Sequence, residues 1–342
     1  MKKLLALFLA MMMVVSLAAC GSSTAAPASS AAAAESSAAA SEATATKFPT
    51  KQITVICPLG AGGASDAISR LYAAALQKES GVSVVVENKP GAGAGVGLEA
   101  IASSDPDGYT IGYIPAEVTT VQAMGNATVT PDNYTFLASA MKICAMIAVP
   151  KDSKWNSLDD LIKDAKANPG KITIGTAGVG NAYELGLRQF MKSAGIELNV
   201  VNFSNGTADA ITAMLGGNVQ ACTCGTSEAM APVKNGQFKM LCHLSSERSK
   251  IFPDVPTATE LGYACNGGSW GAFAVPAGTP DDIVKILRDF TKTAINSDDM
   301  KSTLAERGFD EYYTSGEEFA ATAKELYTTN SATIKEFKLS AN

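Results

Sequence analysis

The stretch ICPLGAGGASDAISRL, residues 56–71, joins an apolar, strand-like segment to a helical pattern through a glycine-rich turn. Gly60, Gly62 and Gly63 allow positive φ angles and close approach of a ligand to the backbone. The helix that follows begins with unpaired N–H groups directed at the same place. Such a turn is a site for an anion, and both a nucleotide phosphate and a carboxylate would suit it.

A second stretch, GTAGVGNAYELGL at residues 175–187, repeats the same order of strand, glycine turn and helix start. In open α/β sheets ligands bind beyond the carboxyl ends of the strands, so two such turns in two domains would face a common cleft. A glycine between a strand and a helix often has only a steric role, so a steric role is the alternative for each turn taken alone.

Nucleotide and hydrolase chemistry fit the two turns poorly. Neither turn contains the GK[ST] sequence of a P-loop, and PGAGAGVG at 90–97 lacks the GxGxxG spacing of a dinucleotide loop. His243, the one histidine of the chain, would have to be the base of any catalytic triad. We therefore expect carboxylate binding by a protein that is not an enzyme and that needs no cofactor or metal.

The first residues, MKKLLALFLAMMMVVSLAAC, predict export. Lys2 and Lys3 precede an apolar run that is too short for a comfortable membrane span, and small residues lead to Cys20. The LAAC sequence resembles the lipobox of bacterial lipoproteins, which implies a signal peptide over 1–19, cleavage before Cys20 and lipidation of that cysteine. An ordinary signal peptide and an uncleaved anchor are the alternatives.

Residues 20–47 are mostly Ala, Ser and Thr, a composition that buries too little apolar surface to become ordered. We interpret them as a flexible tether that holds a soluble body at the extracytoplasmic face of a cell membrane. The remaining chain is long enough for two domains. With 27 basic and 33 acidic side chains, the net charge of −6 gives no indication of nucleic-acid binding.

The body alternates strand-like and helical segments, an order typical of α/β proteins with mostly parallel sheets and flanking helices. The pattern restarts after residue 150, and the strand-like SWGAFAVPAG at 269–278 is expected to return the chain to the first domain. This predicts lobe 1 over 48–149 and 270–342 and lobe 2 over 150–269. The hinge is expected near 148–151 and 265–273.

Six cysteines follow Cys20, mostly within apolar, strand-like stretches. Cys222 and Cys224 lie on the same side of one predicted strand, which is poor geometry for a bond between them. Buried free thiols are the favoured interpretation, and disulfides are the alternative that export permits. For His243, a place in the core or at the surface is favoured over metal binding.

Over nearly all of the body, the chain resembles the substrate-binding proteins of tripartite tricarboxylate transporters, also called the Bug receptor family. The resemblance is carried by PLGAGGASDAISR, VVVENKPGAGAGVGLEAIASSDPDGYT, ITIGTAGVGNAYEL, AMLGGNVQA, SSERSKIFPDVPTATELGY and AVPAGTPDDIVKIL. It implies a two-lobed periplasmic-binding-protein fold, the Venus flytrap. Such a fold closes around a small carboxylate, here one like a di- or tricarboxylate, and delivers it to a membrane permease.

The resemblance also implies that main-chain N–H groups of the two turns, together with bound water, hold the ligand. Asp66 has two interpretations, ligand contact or a structural role with Arg70 at the start of the helix. Ser204 and Asn205 stand where many relatives have a lysine-containing loop, and Trp270 either walls the cleft or is buried at the hinge. The candidate ligand-binding residues are Leu59, Ala61, Gly62, Gly63, Ala64, Ser65, Asp66, Thr176, Ala177, Gly178, Val179, Gly180, Asn181, Ser204, Asn205 and Trp270.

The expected partners are a small carboxylate, the integral-membrane subunits of the transporter and, through the lipid at Cys20, the membrane itself. The chain is expected to act as a monomer. A carboxylate sensor and a receptor for another transporter type are alternatives among binding proteins, and an anchored enzyme is the alternative from another class. Tyr113 and Tyr183 are assigned equally to the lining of the cleft and to the edge of the core.

Overall fold

The structure, a computed structural model, describes residues 47–340 of the 342-residue chain. The predicted signal peptide over 1–19, the predicted lipidation at Cys20 and nearly all of the predicted tether lie outside the described residues. Within 47–340, no helix combines the length and the apolar character that crossing a membrane would require.

The first sheet is built around β1 (Ile53–Cys57). Helix α1 (Ala64–Ser80) leads from β1 to β2 (Val84–Asn88), and α2 (Gly95–Ala102) leads on to β3 (Thr110–Pro115). Strand β1 pairs in parallel with both β2 and β3. Its apolar side chains are buried because helices cover both faces of the sheet.

A second sheet repeats this arrangement around β5 (Thr173–Ala177). Helix α4 (Ala182–Ala194) leads to β6 (Asn199–Phe203), and α5 (Thr207–Leu215) leads to β7 (Ala221–Gly225). Strand β5 pairs in parallel with β6 and β7. The two glycine turns therefore occupy equivalent places, each at the carboxyl end of the central strand of a parallel unit.

Two long antiparallel strands join the sheets. Strand β4 (Tyr134–Pro150) pairs with β9 (Gly268–Pro276) as far as Cys144, and with β7 from Ala145 onward. Strand β9 also pairs with β3, and β8 (Phe238–His243) lies beside β4. Both sheets are therefore mixed, with parallel pairing among β1–β3 and among β5–β7. Also present are α3 (Leu158–Ala167), α6 (Thr226–Lys234), α7 (Asp281–Ile295), α8 (Asp298–Glu306), β10 (Asp310–Glu311) and α9 (Gly316–Glu336).

The passage between the sheets lies close to the lobe boundary expected at residues 149 and 150, which stays a prediction. Strand β4 is continuous, and its pairing changes from one sheet to the other between Cys144 and Ala145. The return crossing lies at Gly267 and Gly268, within the expected range of 265–273. Strand β4 contains no Gly or Pro before Pro150, so the sequence gives no break that would mark the first crossing.

Helix α9 lies across the junction of the two sheets. Phe319 packs edge-on against Phe136 of β4 and Trp270 of β9, with ring centroids 5.4 and 4.7 Å apart. Further along the helix, Glu336 forms an ion pair with Lys192 of α4 at 2.7 Å. This one helix therefore contacts elements of both sheets.

The cysteines and the histidine have structural positions. All six cysteines of the described residues are buried and free, which confirms the favoured interpretation. His243 is completely buried, and its Nε2 lies 3.1 Å from the carbonyl oxygen of Phe252. A core position was one of the two that the sequence favoured for His243. Burial lowers its pKa, so the ring stays neutral at neutral pH.

Candidate functional site

The first glycine turn lies between β1 and α1, and its residues from Gly60 to Gly63 are exposed. Gly62 has a φ of +83°, a left-handed conformation that residues with a Cβ rarely adopt. Helix α1 starts after Gly63 without a side-chain cap. The N–H groups of Ala64 and Ser65 therefore have no acceptor in the described part of the chain and remain available to a ligand.

Asp66 holds the first turn in shape. Its carboxylate accepts the Gly62 N–H at 2.9 Å and pairs with the Arg70 guanidinium at 2.9 Å. Arg70 also donates to Asn88, whose side-chain amide donates to the Leu59 carbonyl at 3.0 Å. Asp66 is 5% exposed, and the hydrogen bonds from Arg70 and from Gly62 lower its pKa to about 2. These contacts match the structural interpretation of Asp66.

Glu184 braces the second turn in the same way. Its carboxylate accepts the Gly180 N–H at 2.8 Å, and Arg188 donates to its other oxygen at 2.9 Å. Glu184 is completely buried. Asn181 caps α4 by accepting the N–H of Tyr183 at 2.8 Å, so α4 presents fewer unpaired N–H groups than α1.

The two turns share one pattern, a glycine, then a carboxylate, then an arginine at steps of four residues. This spacing places the two side chains on one face of the helix. The pairing of Asp66 with Arg70 was considered from the sequence, whereas the second brace was missed although the same spacing was readable there. Each arginine is paired with the carboxylate of its own brace. Anion binding by the N–H groups of the turns stays a prediction. The residues of the pattern are Gly62, Asp66 and Arg70 in the first turn and Gly180, Glu184 and Arg188 in the second.

Some of the N–H groups predicted to hold a ligand already have acceptors inside the protein. The N–H groups of Gly62 and Gly180 donate to the braces, and that of Asn181 donates to the Gly178 carbonyl at 3.1 Å. Main-chain binding therefore depends on the remaining amides of each turn. At the first turn these include the uncapped start of α1.

Other predicted residues of the second sheet differ in exposure. Thr176 is completely buried, and its hydroxyl accepts the hydroxyl of Thr223 at 2.8 Å. Val179 is 42% exposed at the tip of the second turn. Ser204 and Asn205 are exposed in the turn after β6. Contact of these residues with a ligand stays a prediction.

Trp270 lies on β9 with 7% of its surface exposed, packed against Phe319 of α9. It lines a cavity of about 150 Å³ together with Lys142 and Ala182. Successive residues of a strand face opposite sides of the sheet. Since Gly271 faces the Tyr113 hydroxyl, the neighbouring Trp270 faces the other side. This packing agrees with the interpretation of Trp270 as a buried aromatic residue at the hinge. A role for Trp270 in ligand binding stays a prediction.

The sequence GGSWG at 267–271 matches the letters GxSxG of a hydrolase nucleophile elbow. An elbow requires a strand, a sharp turn that carries the serine, and a helix. Here Ser269 lies inside β9, which continues to Pro276. With His243 buried at Phe252, these residues do not form a catalytic arrangement.

Two buried tyrosines, Tyr113 of β3 and Tyr183 of α4, have hydroxyl groups that lie over glycines of neighbouring strands. The Tyr113 hydroxyl lies within hydrogen-bonding reach of Ser65 in the first turn and directly over Gly271. The Tyr183 hydroxyl lies over Gly225, the last residue of β7. Burial raises the pKa of both tyrosines far above neutrality, so both hydroxyls stay protonated.

The segment after β3 approaches both turns. Glu117 lies in a short helical turn (Ala116–Thr119), and its charge adds to the effect of burial in raising the pKa of both Tyr113 and Tyr183. Met124 reaches the second turn, where a Cβ added to Gly180 would lie 2.7 Å from its sulfur. Neither residue was singled out from the sequence, because their proximity to the second turn depends on how the two sheets pack.

A family model described as "Tripartite tricarboxylate transporter family receptor" matches residues 68–339. The chain belongs to this family. The receptor is 31% identical over 272 residues to Protein BugT of Bordetella pertussis, which covers 78% of this chain and 82% of that protein. A ligand-free crystal structure of a TctC solute-binding protein from Polaromonas is similar with a TM-score of 0.80 and 28% identity, covering 84% of this chain and 99% of that chain.

A further likeness concerns the fold alone. MatC from Rhodopseudomonas palustris, solved with bound malate, has a TM-score of 0.65 and 24% identity to the receptor, covering 84% of this chain and 100% of that chain. Together with the Polaromonas structure it confirms the two-lobed periplasmic-binding-protein fold. The chain is an extracytoplasmic solute-binding receptor and not an enzyme.

Proposed function

We propose that this receptor captures a small carboxylate between its two glycine turns and delivers it to the permease of a tripartite tricarboxylate-type transporter. The observation that carries the proposal is the pair of braced turns at the carboxyl ends of β1 and β5, each opening a helix. Helix N-termini favour negative charge through their N–H groups and dipole. Membership of the receptor family supports both the class of ligand and the permease partner.

Main-chain N–H groups, rather than a basic side chain, would hold the carboxylate. Neither turn contains Lys or Arg, and Arg70 and Arg188 are paired within their braces. The amides of Ala64 and Ser65 are the donors best supported by geometry, because α1 has no side-chain cap. A charge-assisted hydrogen bond contributes about 1.5–3 kcal/mol at most, so a few such donors give a useful affinity.

The lobes would divide where the strand pairing changes from one sheet to the other. This assigns 47–144 and 268–340 to lobe 1 and 145–267 to lobe 2. Each lobe then contributes one turn to the cleft. Closure around a ligand would bring the two turns towards the same molecule.

The decisive test of the site is Gly178→Asp. A Cβ at Gly178 meets no atom within 4 Å, so the fold should accept the change while a negative charge enters the second turn. We expect carboxylate affinity, measured by calorimetry with the best acid from a thermal-shift screen, to fall at least tenfold. Gly178→Asn is the matched neutral control and should bind nearly as the parent does. Unchanged affinity in folded Gly178→Asp protein would remove the second turn from the site.

The anchor is a separate proposal that rests on the sequence. We expect cleavage before Cys20 and a lipid on that cysteine to hold the receptor at the outer face of the membrane. Cells that express the parent or Cys20→Ser would be grown with radioactive fatty acid. Label should appear in the parent and be lost in the variant, and equal incorporation in both would contradict the lipoprotein assignment.

A further inference from the structure

Glu117 lies beside the proposed cleft without a cationic partner. Its helical turn follows β3, which runs parallel to β1, so Glu117 and the first glycine turn lie at the same edge of one sheet. Its charge also acts on Tyr183 of the second turn's helix. The side chain is partly buried, and within residues 47–340 no Lys, Arg or His pairs with it. Burial raises the pKa of Glu117.

The ionisable groups at the two turns do not offset the charge of Glu117. Tyr113 and Tyr183 are neutral, as phenols are at neutral pH, and burial raises the pKa of each further. Glu228, whose carboxylate accepts the Gly225 N–H at 3.0 Å, is a second acid that acts on Tyr183. Asp66 and Glu184 are each paired with an arginine of their own brace. None of these groups of the described chain supplies a free positive charge. The proposed cleft therefore has an uncompensated carboxylate at Glu117.

This charge distribution disfavours a ligand that carries only negative charges. Two helix N-termini supply roughly half a positive charge each, which is enough for one carboxylate. A dicarboxylate would bring a second negative charge to a partly buried space that already contains Glu117, where charges interact more strongly than in water. A protonated nitrogen on the ligand would pair with Glu117 while the ligand's carboxylate lies at the turns.

We infer that the ligand is a small carboxylic acid that also carries a protonated amine, and that Glu117 selects the amine. The inference rests on the proposed function, because it places the ligand's carboxylate at the two turns. It narrows the ligand class from carboxylates in general to amino acids in the chemical sense, with the amine on the side of Glu117. Glu117 is a specificity-determining residue in this arrangement.

The test uses matched probes and matched variants. Calorimetry would compare 4-aminobutyrate with butyrate and n-butylamine, L-aspartate with succinate, and L-proline with cyclopentanecarboxylate. In the parent, the amine-bearing acid of at least one pair should bind at least tenfold tighter than its amine-free analogue. Glu117→Gln should reduce that ratio to about threefold or less. Glu79→Gln makes the same charge change at an exposed site on α1 and should leave the ratio unchanged.

The other outcomes separate this inference from the proposed function. If amine-free acids bind the parent at least as tightly as their amine-bearing partners, the inference is wrong and carboxylate capture stands. The inference is also wrong, and capture again stands, if Glu117→Gln keeps the parent's ratio. If n-butylamine binds as tightly as 4-aminobutyrate and loses affinity in Glu117→Gln, Glu117 does select an amine and carboxylate capture at the turns is wrong. Binding of none of these probes would contradict both.

Discussion

Each glycine turn is held by a carboxylate of the following helix. This carboxylate lies four residues after the glycine whose N–H it accepts. The brace uses an N–H group of the turn and an arginine on the next helical turn, so it fixes the backbone without occupying the amides at the helix start. At the first turn this leaves α1 uncapped. An uncapped helix normally loses about 1 kcal/mol of stability, and a bound carboxylate would supply the missing acceptor.

The brace at Asp66 predicts a pH dependence. Its pKa is lowered in the folded state from an ordinary value of 3.8 to about 2, so it stabilises the fold fully above pH 3.8. That contribution is lost as the pH falls towards and through about 2. Asp66→Asn should lower the free energy of unfolding at neutral pH by about 1–2 kcal/mol, a value reduced for the solvent screening of the exposed Arg70.

Urea denaturation of the parent and Asp66→Asn at several pH values would check this prediction. The difference between the two should shrink as the pH is lowered through the range in which Asp66 becomes protonated. Asp105→Asn, at an exposed position without a brace, should show a much smaller difference at every pH. A constant difference between parent and Asp66→Asn down to the acid limit would show that the brace is not the source of the stability.

At the scale of elements, the position of α4 is set by a close backbone contact. Gly186 of α4 lies against Gly267 at the return crossing between the sheets, and a Cβ on Gly186 would overlap the backbone there. Gly267 in turn donates its N–H to Leu244. Since α4 begins at the second glycine turn, this contact also fixes where that turn lies relative to the crossing.

Gly186→Ala should therefore destabilise the protein although alanine favours helices. Overlap with backbone atoms forces α4 away from the crossing, at a cost of about 1–3 kcal/mol that exceeds the gain of at most about 1 kcal/mol in helix propensity. Chemical denaturation would measure the loss. Gly60→Ala, where a Cβ meets no atom within 4 Å, is the control and should change the stability little. A Gly186→Ala protein as stable as this control would show that α4 can shift freely.

At the scale of the whole molecule, the two sheets are linked by β4, by β9 and by the contacts of α9. Gln189 of α4 donates to Thr333 of α9 at 3.3 Å, beside the ion pair of Lys192 with Glu336. The segment that carries Met124 also reaches Gly180 of the second turn. Movement of the lobes must therefore change contacts at α9 and at Met124, while the two strands keep the lobes connected.

Ligand binding is expected to close the lobes. Small-angle scattering should show a smaller radius of gyration at a saturating concentration of the best-binding acid, and Trp270 fluorescence should change because its hinge packing changes. Trp155→Phe should keep the fluorescence response, since Trp155 is buried in the second sheet's core. Trp270→Phe should lose it. If calorimetry shows binding and scattering shows no compaction, closure is wrong and capture stands.

The sequence by itself determined the features that depend on local spacing. Strands and helices alternate with readable periods, glycines mark both turns, and the run of family motifs led to the receptor assignment that the comparisons confirmed. The carboxylate braces also lie within one helical turn, so their spacing was present in the sequence at Glu184 and Arg188 as it was at Asp66 and Arg70.

Only the tertiary structure decided what depends on contacts between distant segments. The change of sheet inside β4 follows from which strands pair with it, and the continuous apolar strand carries no sign of it. Trp270 packs against Phe319, a residue far away in the chain. The charge of Glu117 reaches Tyr183, beside the second turn, because β9 and β4 connect β3 to the second sheet. Such placements arise from burial and strand pairing over the whole molecule, which the spacing of neighbouring residues does not specify.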